Sequence, residues 1–255
     1  MQIIHSVILG IVEGFTEFLP ISSTAHLMLT SKLLGLEATD FLKSFEIIIQ
    51  SGAILAVLTL YWRKFLDIQL LKHLAVAFIP AGIIGFSLYQ LIKDVLLGDI
   101  VFTLWVLGLG GVGLILFEMW QKRRTLRVAS VETMDYKTCF MVGVAQSLAV
   151  LPGVSRAGAT IVGGMLMGVR RETIVEFSFL LAVPTMLAAT SLDIIKSPGL
   201  FAEGQALVLG VGVVISFITA ILSIKFLLSY IRKHTFSAFG VYRVAIAAIG
   251  LIIMI

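Results

Sequence analysis

A polar phrase occurs twice in an otherwise apolar chain, and this repetition limits the fold more than any other feature. The first copy reads Glu13-Gly-Phe-Thr-Glu17-Phe-Leu-Pro20-Ile-Ser22-Ser23-Thr24-Ala-His26. The second reads Gln146-Ser-Leu-Ala-Val-Leu-Pro152-Gly153-Val-Ser155-Arg156-Ala157-Gly-Ala-Thr160. Pro20 and Pro152 stand 132 residues apart, as do Ser23 and Ser155, and as do Phe45 and Phe177 at the start of the next apolar runs. One offset kept over 25 residues marks a duplicated unit. In membrane proteins, interruptions at corresponding places in two halves point to the binding site.

The surrounding sequence is 59% hydrophobic and 13% charged, with a mean hydropathy of +1.06. Soluble domains average about 25% charged residues, so the chain reads as an all-α integral membrane protein. Its long apolar runs lack strand alternation, which argues against a β-barrel. The length leaves no room for a soluble domain beside the membrane core. Residues 1–255 therefore form one membrane domain, with repeat 1 over about 1–120, a cytoplasmic linker at 121–137 and repeat 2 over about 138–255. No cleavable signal peptide is expected, because the start lacks a basic region and runs into Glu13 and Glu17. The lone Cys139 allows no internal disulfide. The net charge of +4 sits in short loops, so no nucleic-acid partner is expected.

Five segments are read in each half. Residues 3–19 and 22–35 flank Pro20, followed by 41–62, 73–91 and 100–120; residues 138–151 and 154–167 flank Pro152, followed by 172–195, 205–230 and 238–255. At about 1.5 Å per residue, the segments beside the prolines are roughly 21–25 Å long, short of the roughly 30 Å hydrocarbon core. Each pair is predicted to form a re-entrant helix-loop-helix hairpin, since irregular backbone at that depth must be buried or line a wet cavity. One hairpin plus three transmembrane helices per half, an odd number of crossings, gives an inverted-topology repeat. Loops 63–72, 121–137, 168–172 and 230–237 carry twelve Lys and Arg residues, and loops 32–43, 92–99 and 196–204 carry four. That bias puts the first set in the cytoplasm and both termini outside. Trp62 and Trp120 then fall at cytoplasmic span ends, in the aromatic belt.

Charges at bilayer depth cost roughly 2.5–3.5 kcal/mol each and so mark functional sites. Glu13, Glu17, Glu46 and Arg156 qualify. Glu13 and Glu17 share a helical face, where two carboxylates can hold a divalent cation or divide acid and base roles; a wet cleft, or simple neutralisation by Arg156, would use them too. Ser22, Ser23 and Ser155 stand where a helix takes an N-cap. With both N-termini aimed at the midplane, their free N–H groups and dipoles also make an anion site, and Arg156 adds a forked donor suited to phosphate. His26, one turn beyond the serines, is placed to act as base or acid. Glu46 and Gln50 share a helical face, which would serve equally to support the site from behind or to pack polar groups between spans. His5 and His73 read as interfacial, and Asp193 and Glu176 as solvated span ends. The glycines of 108–113 read as a close helix contact.

The two phrases closely resemble the signature motifs of the bacterial undecaprenyl-diphosphate phosphatases of the bacitracin-resistance type. The likeness continues through Phe45-Glu-x-x-Ile-Gln50 and Phe177-Ser-Phe-Leu-Leu-Ala-x-Pro184 and covers essentially the whole chain. It implies hydrolysis of the C55 lipid diphosphate in the bacterial inner membrane, at a site opening to the outer, periplasmic face. It also implies dependence on Mg²⁺ or Ca²⁺ held by Glu13 and Glu17, and a homodimer. By motif position, Ser23 is the nucleophile, supported by His26, Glu17 and Glu13, while Arg156 and Ser155 bind the diphosphate together with Ser22, Thr24, Thr160 and Gln50. Ala157 stands where the family usually has Ser. The prenyl tail is expected against 41–62 and 172–195. The rival reading is an inverted-repeat transporter or flippase of a prenyl-phosphate lipid or another anion, which needs the anion site but no nucleophile.

The charge bias makes a testable statement about orientation. Single cysteines placed at 125 and 200 should react with an impermeant reagent from outside at 200 only. Labelling at 125 instead would reverse the topology.

Overall fold

A computed structural model describes residues 1–94, 96, 99–121, 130–196 and 205–254. Lys122, Arg123, Arg124 and Arg127, most of loop 196–204, and both labelling positions lie outside these residues. Within them the chain forms eleven α-helices: α1 (Ile3–Thr16), α2 (Ser23–Leu33), α3 (Asp40–Ile48), α4 (Gln50–Tyr61), α5 (Ile68–Asp94), α6 (Ile100–Gln121), α7 (Tyr136–Ser147), α8 (Arg156–Leu166), α9 (Arg171–Lys196), α10 (Gln205–Ile231) and α11 (Ser237–Met254). Six stretches are long and apolar enough to cross a membrane: α3 and α4 taken together, α5, α6, α9, α10 and α11. This is a multi-pass helical membrane protein.

The pairs α1–α2 and α7–α8 hold 14, 11, 12 and 11 residues, too few to span. Each pair packs on itself around its proline-containing turn. Two predicted boundaries shift. The span expected to run unbroken over 41–62 is interrupted at Ile49, where the ladder gives way to a tighter bond from Gly52 N–H to the Ile49 carbonyl, 3.1 Å. The helix expected from residue 73 starts at Ile68, because the Asp67 side chain accepts from Gln69 N–H at 2.8 Å and opens it earlier.

Between apolar helices in lipid there is little hydrophobic drive, so small residues and hydrogen bonds set the contacts. α1 lies along α10: Ser6 Oγ donates to the Val208 carbonyl at 2.6 Å, and Ser223 Oγ to the Phe15 carbonyl at 2.7 Å. Between these bonds Gly14 lets the backbones touch, since a Cβ there would stand 2.3 Å from the Ser216 carbonyl oxygen. α7 lies on α5 in the same manner, with Gly143 against the Ala77 carbonyl. α6 packs on α11.

Two sequence expectations are corrected. Asp193, expected to be solvated, is fully buried and accepts from the Tyr89 hydroxyl at 2.7 Å, because α5 crosses over that end of α9. His73, expected at the interface, is buried beneath Tyr136 at the foot of α7. A buried clasp absent from the sequence reading ties the ends of α6, α9 and α11: Glu118 accepts from Arg171 at 2.8 and 2.9 Å and from Phe236 N–H at 2.8 Å.

Gly14→Ala should destabilise the protein by about 1–3 kcal/mol, the usual cost of overpacking. Gly113→Ala on α6, whose added Cβ meets open space, should be neutral or slightly stabilising. Thermal unfolding in detergent compares them, and equal midpoints would refute the close α1–α10 contact.

Candidate active site

Both short helix pairs bring their turns to one place. The Ser155 hydroxyl lies 3.4 Å from the Leu19 carbonyl of the opposite turn. Phe18, fully buried, stacks edge-on against Phe179 and lies under the Arg156 guanidinium at 5.8 Å. In the second turn Gly153 has a φ of +95°, and a Cβ there would stand 2.4 Å from the Thr103 carbonyl oxygen, so only glycine fits. In the first turn Ser22 has a φ of +68°, the one non-glycine residue with positive φ among the described residues. Strain of this kind collects at functional sites.

The two helix starts differ. Ser155 caps α8 by accepting from Gly158 N–H at 3.1 Å. Ser22 stands at the N-cap position of α2 but makes no side-chain cap bond, so its hydroxyl does not compete for the first-turn N–H groups. Its carbonyl is held twice by His26, from the backbone N–H at 3.3 Å and from Nδ1 at 2.8 Å. A carbonyl only accepts, so Nδ1 carries the proton, and Nε2 takes the Tyr242 hydroxyl, 2.9 Å away. His26 thus braces the strained turn, with both ring nitrogens engaged away from Ser23.

The Ser23 hydroxyl donates to Glu17 Oε2. Glu17 Oε1 receives Arg156 Nη2 at 2.9 Å, and Arg156 Nη1 donates to the Ser178 carbonyl at 2.7 Å and approaches its hydroxyl at 3.2 Å. A continuous polar chain therefore runs from Ser23 through Glu17 and Arg156 to α9, with Ser23 and Glu17 buried and the Arg156 side chain 11% exposed. Arg156 Nε has no protein partner.

This chain forms the floor of a cavity of about 960 Å³. Glu17, Ser22, Ser23, Thr24, Ser155 and Arg156 line it, with Gln50 at one side. Glu13, His26 and Thr160 are not among its lining residues; Thr160 donates to the Arg156 carbonyl at 2.8 Å. The apolar walls are α5, through Gly82 and Phe86, and α9, through Met186 and Ile195. The wall expected from 41–62 is mostly supplied by α5, with Ile47 and Gln50 alone contributed by α3 and α4. Ala157, in place of the usual Ser, is fully buried in apolar surroundings, where it needs no hydroxyl.

Glu13 is fully buried, with both carboxylate oxygens unpartnered, and interacts electrostatically with Glu17, Glu46 and Arg156. Glu46 itself accepts from Ser31 at 2.7 Å. No three His, Cys, Asp or Glu side chains converge among the described residues. One or two carboxylates with the remaining ligands from phosphate and water is how Mg²⁺ is commonly held, and the two Glu13 oxygens, buried without a hydrogen-bond partner, are the groups such an ion would satisfy.

Arg243 and Tyr242 on α11 went unnoticed in the sequence. The rule that singled out Arg156, a charge inside an apolar span, applies equally to Arg243.

Comparison with known proteins agrees with the motifs. The family model described as bacitracin resistance protein BacA matches residues 6–249. The chain is 50% identical over 244 residues to an undecaprenyl-diphosphatase of Sulfurihydrogenibium sp. (strain YO3AOP1), covering 96% of each chain. It is 49% identical to that of Aquifex aeolicus over 246 residues, again 96% of each, and 48% identical to that of Persephonella marina over the full length of both.

The geometry separates Arg156 from Thr160. Arg156→Lys keeps the charge but cannot bridge Glu17 and Ser178 while presenting a fork to an anion. Stabilisation of the purified protein by inorganic pyrophosphate should need at least about tenfold more ligand in Arg156→Lys, the loss of roughly one charge-assisted hydrogen bond. Thr160→Val should respond as the parent does. Equal responses of the parent and Arg156→Lys would remove Arg156 from the anion site.

Proposed function

This chain belongs to the bacitracin resistance protein BacA family, and we propose that its cavity hydrolyses undecaprenyl diphosphate to undecaprenyl phosphate and inorganic phosphate. The reaction recycles the lipid carrier for cell-wall synthesis and gives bacitracin resistance. The observation that carries the chemistry is the Ser23–Glu17–Arg156 chain on the floor of an apolar-walled cavity. A transporter needs the anion site but has no use for a serine poised on a carboxylate.

In the first step the Ser23 Oγ–phosphorus bond forms at the terminal phosphate and the bond to the bridging oxygen breaks. Glu17 takes the hydroxyl proton and passes it to the departing lipid monophosphate. Arg156 and the N-terminal N–H groups of α2 and α8 hold the phosphate oxygens, so the chain contributes mostly positioning and charge. In the second step a water oxygen bonds to the phosphorus as the Ser23 Oγ–phosphorus bond breaks; Glu17 takes the water proton and returns it to Ser23 Oγ, and phosphate leaves. His26 keeps Ser22 in its strained turn and so aims Ser23. A Mg²⁺ or Ca²⁺ ion on Glu13 and Glu17 would neutralise charge on the phosphates.

The inverted repeat belongs to the same reading. Its support is the exchange of partners at the 132-residue offset: α1 packs on α10 while its counterpart α7 packs on α5, and the counterparts α6 and α11 pack on each other. With the basic-residue bias it directs the cavity to the outer face. The homodimer rests on the family resemblance.

Ser23→Ala and Ser23→Gly should both lose phosphate release by more than about 10³-fold while still binding lipid diphosphate, as expected for a missing nucleophile. If Ser23 served only as the first residue of α2, Gly would cost about 1 kcal/mol or less of stability and keep activity. Substantial hydrolysis by Ser23→Gly reassigns the attack to another group.

A further inference from the structure

Arg243, 4% exposed within the last apolar helix, directs all three guanidinium nitrogens at backbone carbonyls. Nη1 donates to Pro20 at 3.3 Å, Nη2 to Gly153 at 2.9 Å, and Nε to Leu107 at 3.1 Å. Pro20 and Gly153 belong to the two opposed turns, and Leu107 to α6. Carbonyls at this depth cannot turn to water and must be satisfied within the protein. The guanidinium is the side chain whose fixed fork serves several of them at once. α6 is cut away to admit it: a Cβ on Gly110 would stand 2.1 Å from Nη2, and one on Gly111 would stand 2.8 Å from the Arg243 Cβ.

Each contact to a turn stands at the same distance in sequence from the group it serves. Pro20 lies three residues before Ser23, and Gly153 three residues before Arg156. The neighbouring Tyr242 holds His26, which braces the residue between them, Ser22. We infer that Arg243 is a positioning residue that pins both turns to one point and so sets the separation between the attacking Ser23 hydroxyl and the Arg156 clamp. This rests on the reading of the cavity as a lipid-diphosphate hydrolase site. A lysine has a single ammonium and cannot hold both turns in one plane. Misplacement by about 1 Å is enough to cost 10²-fold in rate.

The test measures phosphate release from lipid diphosphate by purified protein in detergent, with kcat and KM separated and the folded fraction set by thermal unfolding. Arg243→Lys should lower kcat by about 10²-fold with KM changed by less than about threefold. In an Arg156→Lys background the same change should cost little more, because the clamp it positions is already lost. A residue serving stability alone would lower the unfolding midpoint and multiply independently with Arg156→Lys. Gly110→Ala displaces the guanidinium without altering it and should also lower kcat, while Gly113→Ala should not. The proposal is overturned if Arg243→Lys keeps more than half the parent kcat, if its loss multiplies fully with that of Arg156→Lys, or if Gly110→Ala matches Gly113→Ala. Should Arg243→Lys fail to fold, the glycine pair decides alone. An inactive parent protein would instead overturn the hydrolase reading.

Discussion

The ion pair between Glu17 and Arg156 is the constraint on which the rest of the site depends. Each group alone would be an unpaired charge inside an apolar bundle, which costs several kcal/mol. Each lies on a different short helix pair, 139 residues apart in sequence. The pair therefore forms only when both turns meet, and bringing the two charges together offsets part of the cost of burying each. Once joined, Glu17 still has an oxygen for the Ser23 hydroxyl, and Arg156 still lines the cavity where a ligand would lie. One contact thus closes the fold and leaves reactive groups on its open side.

The duplication is unequal in its chemistry. Both carboxylates of the site come from the first copy of the phrase, where the second has Ala145 and Ala149; the arginine comes from the second, where the first has Thr24. Neither half carries a complete set of groups. The site is a property of the junction, and the glycine and serine contacts of α1 on α10 and of α7 on α5 matter because each fastens one half's short helices to the other half's spans.

Much of this was legible in the sequence. The paired prolines located the turns because a duplicated interruption in an apolar run leaves few alternatives, and the six crossing stretches followed from length. The Ser23–Glu17 bond was not legible: at a six-residue separation across a turn, helical periodicity no longer says which side chains meet. His26 illustrates the same limit, since it lies one turn from the serines yet faces α11. Arg243 was missed although its mark, a cation in an apolar span, was present. Its partners are backbone carbonyls, and no side-chain pattern announces them. Asp193 was misjudged because its burial depends on α5 crossing a distant stretch of chain.

The walls of the cavity carry a consequence for how the protein meets its substrate. Ile83, Phe86 and Ile195 line the cavity and are also 62%, 68% and 76% exposed on the outer surface of the bundle. The cavity is therefore open sideways between α5 and α9, toward the hydrocarbon region. A ligand with a long apolar tail can enter without leaving the bilayer, so encounter is a search in two dimensions. The quantity that sets occupancy is then the fraction of membrane molecules that are substrate, not the amount per volume of suspension. Diluting the substrate with inert lipid would slow the protein as effectively as removing it, while diluting the vesicles in buffer would leave the rate of each molecule unchanged.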